Sequence, residues 1–179
     1  AMIRFNQQAN PAANHFTEWL AYDQYAYSRG TIGNSQDAIV TDLKIALFYE
    51  RRAGDGPLRL GLTKRDRSFV AEIGVDQVRL LDTTNGNEKE LGTAVTGSPS
   101  SRPMHIEFTN VDYQLTLRIN GEKVLQSTPE QYAPDLSALL ADFRSLLRNP
   151  AQRTLTPPPA VTIEARNQTC DLSHVCLLY

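Results

Sequence analysis

The side chains best suited to chemistry in this sequence are three histidines, two cysteines and a scatter of carboxylates. His15, His105 and His174 stand too far apart for metal-ligand spacing, which pairs ligands a few residues from one another, and two cysteines alone make no zinc ribbon or finger. His105 falls on a polar position of an alternating stretch and reads as a solvent-facing histidine. Cys170 and Cys176 are six positions apart. A disulfide there would suit an oxidising compartment, two thiols on a buried terminal strand would fit as well, and spacing leaves both open. Glu107 with Asp112, or with Glu164, has the residue types of a glycosidase acid and base, but nothing in the order of residues brings two of them together. Glu107 has only Ile106 and Phe108 beside it, which is ordinary alternation. Gly54-Asp55-Gly56 runs into Pro57 and a strand, so it offers no helix N-terminus to a phosphate and reads as a turn. Asn167-Gln168-Thr169 is a sequon whose use depends on the host. Trp19, Tyr22, Tyr25 and Tyr27 have the chemistry of a sugar-stacking platform and equally that of anchors docked on a core. No residue is assigned a catalytic, cofactor-binding or metal-ligating role, and no cofactor is implied.

The elements that carry these residues are mostly strands. In Met104-His105-Ile106-Glu107-Phe108-Thr109 every second residue is apolar, the period of a strand with one wet face. Asn110-Val111-Asp112 then reads as a reversal, Tyr113, Leu115, Leu117 and Ile119 resume the alternation, and Asn120-Gly121 is the signature of a tight hairpin. Leu43, Ile45, Leu47 and Tyr49 alternate with Asp42, Lys44, Ala46 and Phe48. Leu58, Leu60 and Leu62, then Phe69, Ala71 and Ile73, then Val78 and Leu80 follow, separated by turn chemistry at 53–57, 64–67 and 85–87. Strands at this spacing predict an antiparallel sandwich or jelly roll. One helix is expected near 135–148, where Leu136, Leu139, Leu140, Phe143, Leu146 and Leu147 recur at three and four, Asp135 caps the start and Asn149-Pro150 ends it. Thr154 to Pro159 reads as a stiff extended connector, and Val161 and Ile163 begin a last strand. Residues 1–35 read as an irregular lead-in.

Composition bounds the rest. A chain of 179 residues is most economically one domain around one core, 1–179. The hydrophobic fraction of 41 % and charged fraction of 21 % are those of an ordinary globular protein. A net charge of −2, from 18 basic and 20 acidic residues, gives no field to attract phosphate backbones, so nucleic acid is not an expected partner. The chain itself shows no membrane span. Ala1 before Met2 reads as an expression scar, and Val175-Cys176-Leu177-Leu178-Tyr179 stops in an apolar run, so the chain is expected to be an excised domain.

The series from Asp42 through Val124 resembles the concanavalin A-like, laminin G-like sandwich, on the strand entry Thr41-Asp42-Leu43, the strand Phe69-Val70-Ala71-Glu72-Ile73 and the hairpin ending in Asn120-Gly121. More narrowly it is similar to the large insertion of some bacterial type I signal peptidases, in which the phrase Phe108-Thr109-Asn110-Val111-Asp112 with a following strand and Asn-Gly turn recurs. That resemblance implies a membrane-anchored parent with a serine nucleophile and a lysine base. Neither residue carries over. Met2 and Met104 are not preceded by serine, Lys64-Arg65 lacks the Gly-Pro-Gly that follows the family's lysine, and Lys44, Lys89 and Lys123 sit in alternating or turn contexts. The resemblance implies the insertion without the machinery: a non-catalytic module on the extracytoplasmic face of a bacterial membrane, attached through its parent, that binds or positions an unidentified protein or glycan. The other expectation is a free-standing lectin-like glycan-binding module, and a third is a hydrolase on the same fold.

Overall fold

A computed structural model of the chain describes residues 1–4, 41–96, 103–148 and 159–178. His15, the aromatic cluster from Trp19 to Tyr27 and the connector over 154–158 lie outside them. The described strands are β1 (Met2–Arg4), β2 (Leu43–Gly54), β3 (Leu58–Lys64), β4 (Arg67–Ile73), β5 (Gln77–Asp82), β6 (Lys89–Val95), β7 (Met104–Val111), β8 (Gln114–Ile119), β9 (Glu122–Gln126), β10 (Val161–Ala165) and β11 (Gln168–Leu178). The helix is α1 (Leu136–Arg148). They form two antiparallel sheets, a back sheet of six strands ordered β1-β10-β3-β4-β5-β6 and a front sheet of five ordered β11-β2-β7-β8-β9. The described residues form an antiparallel β-sandwich with one α-helix, as the spacing predicts. No described helix is long and apolar enough to cross a membrane.

Two-residue alternation decides which side of each strand is covered. The front sheet turns Leu43, Ile45, Leu47, Tyr49, Ile106, Phe108, Leu115 and Leu117 inward, and the back sheet meets them with Leu58, Leu60, Leu62, Phe69, Ala71, Ile73, Val78 and Leu80. Each of these is buried, and each large aliphatic one contributes about 1.5–3 kcal/mol of transfer free energy. The hairpins are set by residues that accept left-handed backbone: Asn120 and Gly121 at φ 52° and 86°, and Asp112 and Tyr113 at φ 49° and 58°. Paired positive φ values at two-residue loops match the twist of the flanking strands.

Three expectations are corrected. The first reversal is at Asp112-Tyr113, because β7 continues through Asn110 to Val111. Asn110 is wholly buried and accepts a hydrogen bond from the Tyr132 hydroxyl at 3.1 Å, so an inward amide with a partner reads in sequence like a turn residue. The lead-in is not irregular throughout, since Met2, Ile3 and Arg4 pair with Glu164, Ile163 and Thr162 as an edge strand. The terminal strand β11 is an edge strand and largely exposed rather than buried, paired on one side only, to β2.

The back sheet carries its own constraint on its outer face. Glu164, Arg59, Glu72 and Arg79 are directly opposed on four successive strands, so the charges alternate in sign across the sheet. Arg59 donates to Glu72 at 2.9 Å and to Glu88 at 2.5 Å. Arg79 donates to the second Glu72 oxygen through Nε at 2.9 Å and also through its Nη2. Arg59 and Glu72 are buried, and removing one member of a buried pair leaves the other desolvated and unmatched. Glu72→Ala is therefore expected to cost about 3 kcal/mol in urea unfolding, whereas Arg52→Ala, in the exposed pair with Asp171, should leave the midpoint unchanged. Equal effects of the two substitutions would contradict this assignment.

Acid should unfold the protein by the same logic. A hydrogen bond from Lys44 holds Glu107 below the usual carboxylate range, Arg59 does so for Glu88, and Arg166 for Glu164. At Asp82 burial pushes upward, but hydrogen bonds from Thr84 and Arg67 outweigh it and the result is again lowered. Carboxyls depressed in the folded state add stability that is present above their unfolded value and disappears as pH falls through the folded one. The unfolding free energy should hold near neutrality and decline below about pH 4. A stability that rises on acidification would contradict it.

Candidate functional site

With one side of each front-sheet strand committed to the core, the opposite side is a free surface. Its rows follow from the register. Lys44 lies opposite Thr109, Ala46 opposite Glu107, and Phe48 opposite His105 on β7. Thr109 and Glu107 in turn lie opposite Thr116 and Arg118 on β8. On the other flank, Cys176 faces Ala46 and Ser173 faces Phe48.

At the centre is a cluster of rings. Phe48 is exposed, at 38 % of its full accessibility. The His105 ring lies 4.8 Å from it, tilted by 33°, and the His174 ring meets its edge at 5.6 Å and 74°. Both histidines are placed by their backbones, and the His105 bonds are made by its main-chain N–H and carbonyl. The Asn120 side chain accepts from the His105 N–H at 2.9 Å, and the Asn120 N–H donates to the His105 carbonyl at 2.8 Å. His174 sits at φ 49° where the pairing of β11 shifts between Ser173 and Cys176, a bulge that re-aims a side chain. Beside the rings, Ala46 leaves no bulk between Phe48 and Lys44. The Lys44 ammonium pairs with Glu107. On the far side Arg52 binds Glu50 and Asp171, both at 2.6 Å. An apolar ring patch thus lies between two ion pairs on the outer face of the sheet, with the Thr109 and Thr116 hydroxyls and the exposed Arg118 further out.

A second concavity sits at one end of the sandwich. It encloses about 330 Å³ and is lined by Lys64, Arg67, Tyr113, Tyr132 and the start of α1 at Asp135 and Leu139, among others. Its cations are engaged: Lys64 binds Asp42 and lies 4.3 Å from the centre of the Tyr113 ring, and Arg67 binds Asp82 at 2.5 Å while lying 4.9 Å over Tyr132. Tyr132 packs 4.4 Å from Phe69, and burial raises its hydroxyl to about 12, so it remains a donor to Asn110 at any ordinary pH. The concavity is a partly open cleft at the end of the core, with the buried Tyr132 among its lining.

The sequence placed the chemical residues unevenly. The structure brings His105 and His174 to one aromatic ring, which their distance in sequence hides. Glu107, Asp112 and Glu164 are kept apart: Glu107 is on the front sheet with Lys44, Asp112 is in the β7–β8 turn, and Glu164 is on the back sheet with Arg166 at 2.9 Å. Among the described residues no group of three His, Cys, Asp or Glu side chains stands close enough to hold a metal ion. Gly54 and Gly56 form a turn against the backbone of Arg166, Asn167 and Gln168, where a side chain at Gly56 would collide with the Arg166 carbonyl. Asn167 of the sequon is exposed in the β10–β11 turn. Phe48 and Tyr132 were not singled out in sequence. A signal existed for Phe48, an aromatic on the polar register of β2, and none for Tyr132, which lies in an irregular stretch.

Both cysteines are free thiols. Cys170 lies opposite Arg51 on the inward register and Cys176 opposite Ala46 on the outward one, because the shift in β11 changes the parity between them. The separation along the strand is roughly 16 Å at strand rise, far beyond disulfide reach.

No family model matches the chain, and no curated protein sequence matches it. Among solved structures it is similar to the carbohydrate binding module CBM66 from Bacillus subtilis, at 10 % identity with a TM-score of 0.52, covering 77 % of this chain and 75 % of that one. It is also similar to sheep galectin-11 in complex with glycerol, at 11 % identity, TM-score 0.47, covering 79 % and 92 %. A third similarity is to alginate lyase A1-II', at 10 % identity, TM-score 0.49, covering 82 % and 66 %. The likeness to the carbohydrate binding module shows the fold, a β-sandwich of the jelly-roll type; at such identity a shared fold leaves the function to be argued from the site.

The thiol placement predicts that alkylation of the native protein modifies the exposed Cys176 first. Cys170 should follow slowly, because burial raises its thiol above the ordinary value. Peptide mapping that found the two joined in a native bridge would contradict the placement.

Proposed function

We propose that the protein is a glycan-binding module that uses the outer face of the front sheet and binds without turnover. The observation that carries the reading is the ring cluster of Phe48, His105 and His174 set between the Lys44–Glu107 pair and the Arg52–Asp171 pair. A sugar ring presents an apolar C–H face and a rim of hydroxyls, so it needs an exposed aromatic ring to stack on with charged donors and acceptors around it. This face supplies both on rigid strands. The jelly-roll fold, met in a carbohydrate binding module, supports the reading.

The signal-peptidase resemblance remains a second reading, carried by the phrase from Phe108 to Asp112 and the Asn120-Gly121 turn. Nothing in the structural similarities links the chain to signal peptidase I. In the fold, that phrase does structural work: Phe108 and Asn110 face the core, and Asp112 makes the turn. An extracytoplasmic setting belongs to that second reading, in which the module is part of a membrane-attached chain.

A glycan array followed by calorimetric titration tests the proposal. Binding is expected, and Phe48→Ala should weaken it about 10-fold, the value of one aromatic contact, with the thermal midpoint unchanged. Tyr113→Ala, in the end cavity, should leave affinity as it was. The glycans should be recovered intact. Loss of binding through Tyr113 instead of Phe48 would move the site, no binding to any glycan would favour the positioning role, and released products would make the protein an enzyme.

A further inference from the structure

The outer face of the front sheet carries its charges unevenly, and the register shows where. One row of side chains crosses all five strands as Cys176, Ala46, Glu107, Arg118 and Lys123. Glu107 is the one carboxylate in that row, and Lys44, from the adjacent row, binds it. Arg118 and Lys123 are left opposite each other on β8 and β9, both exposed. Among the described residues each donates to a neutral oxygen, Arg118 to the Gly121 carbonyl at 3.2 Å and Lys123 to the Gln126 side chain at 2.6 Å. Like charges directly opposite on neighbouring strands repel. The back sheet avoids this by alternating the sign of its charges across four strands. The front sheet instead sets two cations side by side, on a chain whose net charge is −2, and its one nearby carboxylate is already bonded.

We infer that this face takes an acidic oligosaccharide, with one sugar ring stacked on Phe48 and the carboxylate or sulfate of another ring held by Arg118 and Lys123. The inference rests on the glycan-binding reading of the face and names the class of glycan. A guanidinium beside an ammonium suits an oxyanion, which the first can meet with two parallel hydrogen bonds and the second as a point charge. The anion also cancels the repulsion between the two cations, so binding relieves a cost that the free protein carries. The other flank offers no such place, because Arg52 is already bound by Glu50 and Asp171. Arg118 lies two strands and Lys123 three strands from Phe48, roughly 10–15 Å at strand spacing. One sugar ring cannot reach across that span, so the ligand is a chain of rings running across the strands, over His105 and Glu107.

A glycan array that includes matched pairs tests this on the full chain: oligogalacturonate beside its methyl ester, and a sulfated galactan oligomer beside its desulfated form, each followed by calorimetric titration. The acidic member of a pair should bind about 10-fold tighter at low salt, the value of two charged contacts at an exposed site. That advantage should vanish as salt rises toward about 1 M, where exposed charges are screened. The pair that shows it tells carboxylate from sulfate. Arg118→Gln combined with Lys123→Gln, both at exposed positions, should bring the ratio of the two affinities to one, with circular dichroism unchanged and a thermal midpoint no lower. Lys89→Gln, exposed on the back sheet, should leave the ratio at its wild-type value. Equal affinity within both pairs, binding to neutral glycans only, or an acidic preference that survives the double substitution would each overturn this inference and leave the glycan reading standing. No binding to any glycan on the array would remove that reading and this inference together.

Discussion

Apolar contact between the two sheets is the constraint on which everything else rests. Strands repeat with a period of two, so committing Leu43, Ile45, Leu47 and Tyr49 to the interior commits Lys44, Ala46, Phe48 and Glu50 to the outside of the same strand. A slip by one residue would bury a lysine and a glutamate and expose the aliphatic row. The register that makes the core thus also composes the surface, and the ring patch exists because an aromatic occupies the outward set. The tight turns at Asp112-Tyr113 and Asn120-Gly121 hold β7 and β8 to this register. The second turn further fixes His105 through the two hydrogen bonds of Asn120.

The two outer faces have diverged. On the back sheet the alternating ladder of Glu164, Arg59, Glu72 and Arg79 is buried at its centre, at Arg59 and Glu72, and internally satisfied, which is the chemistry of a structural surface. On the front sheet the ion pairs are more open and stand apart, with rings and small residues between them. Their carboxylates keep hydrogen-bonding capacity that a hydroxyl-rich ligand can use. The end cavity, though concave, has its cations already matched by Asp42 and Asp82. This contrast, rather than concavity, separates a binding face from a structural one here.

The fold was legible in the sequence because it follows from local alternation. Strands at 43–49, 58–62, 69–73, 78–80 and 104–119, the Asn120-Gly121 hairpin and the capped helix at Asp135 can all be read from neighbours within a few residues, whereas β6, with Leu91 alone buried, carries no such alternation. What failed did so for non-local reasons. Asn110 looked like a turn residue because its partner, Tyr132, comes 22 positions later. The parity change in β11 that separates the cysteines and turns His174 toward Phe48 depends on pairing with β2, which no spacing within β11 reveals. The same holds for the site: Phe48, His105 and His174 lie on three strands that are adjacent only in space. The helix was recognised by its stripe, but whether a stripe meets the body or the outside is a property of the assembled sandwich.

Residue-resolved NMR titration with a glycan selected by binding tests the central claim most directly. The account predicts that amide and side-chain resonances of Ala46, Phe48, His105 and His174 shift together in one saturable transition while those around Tyr113 and Tyr132 stay still. Shifts confined to the end cavity, or dispersed with no common site, would contradict it.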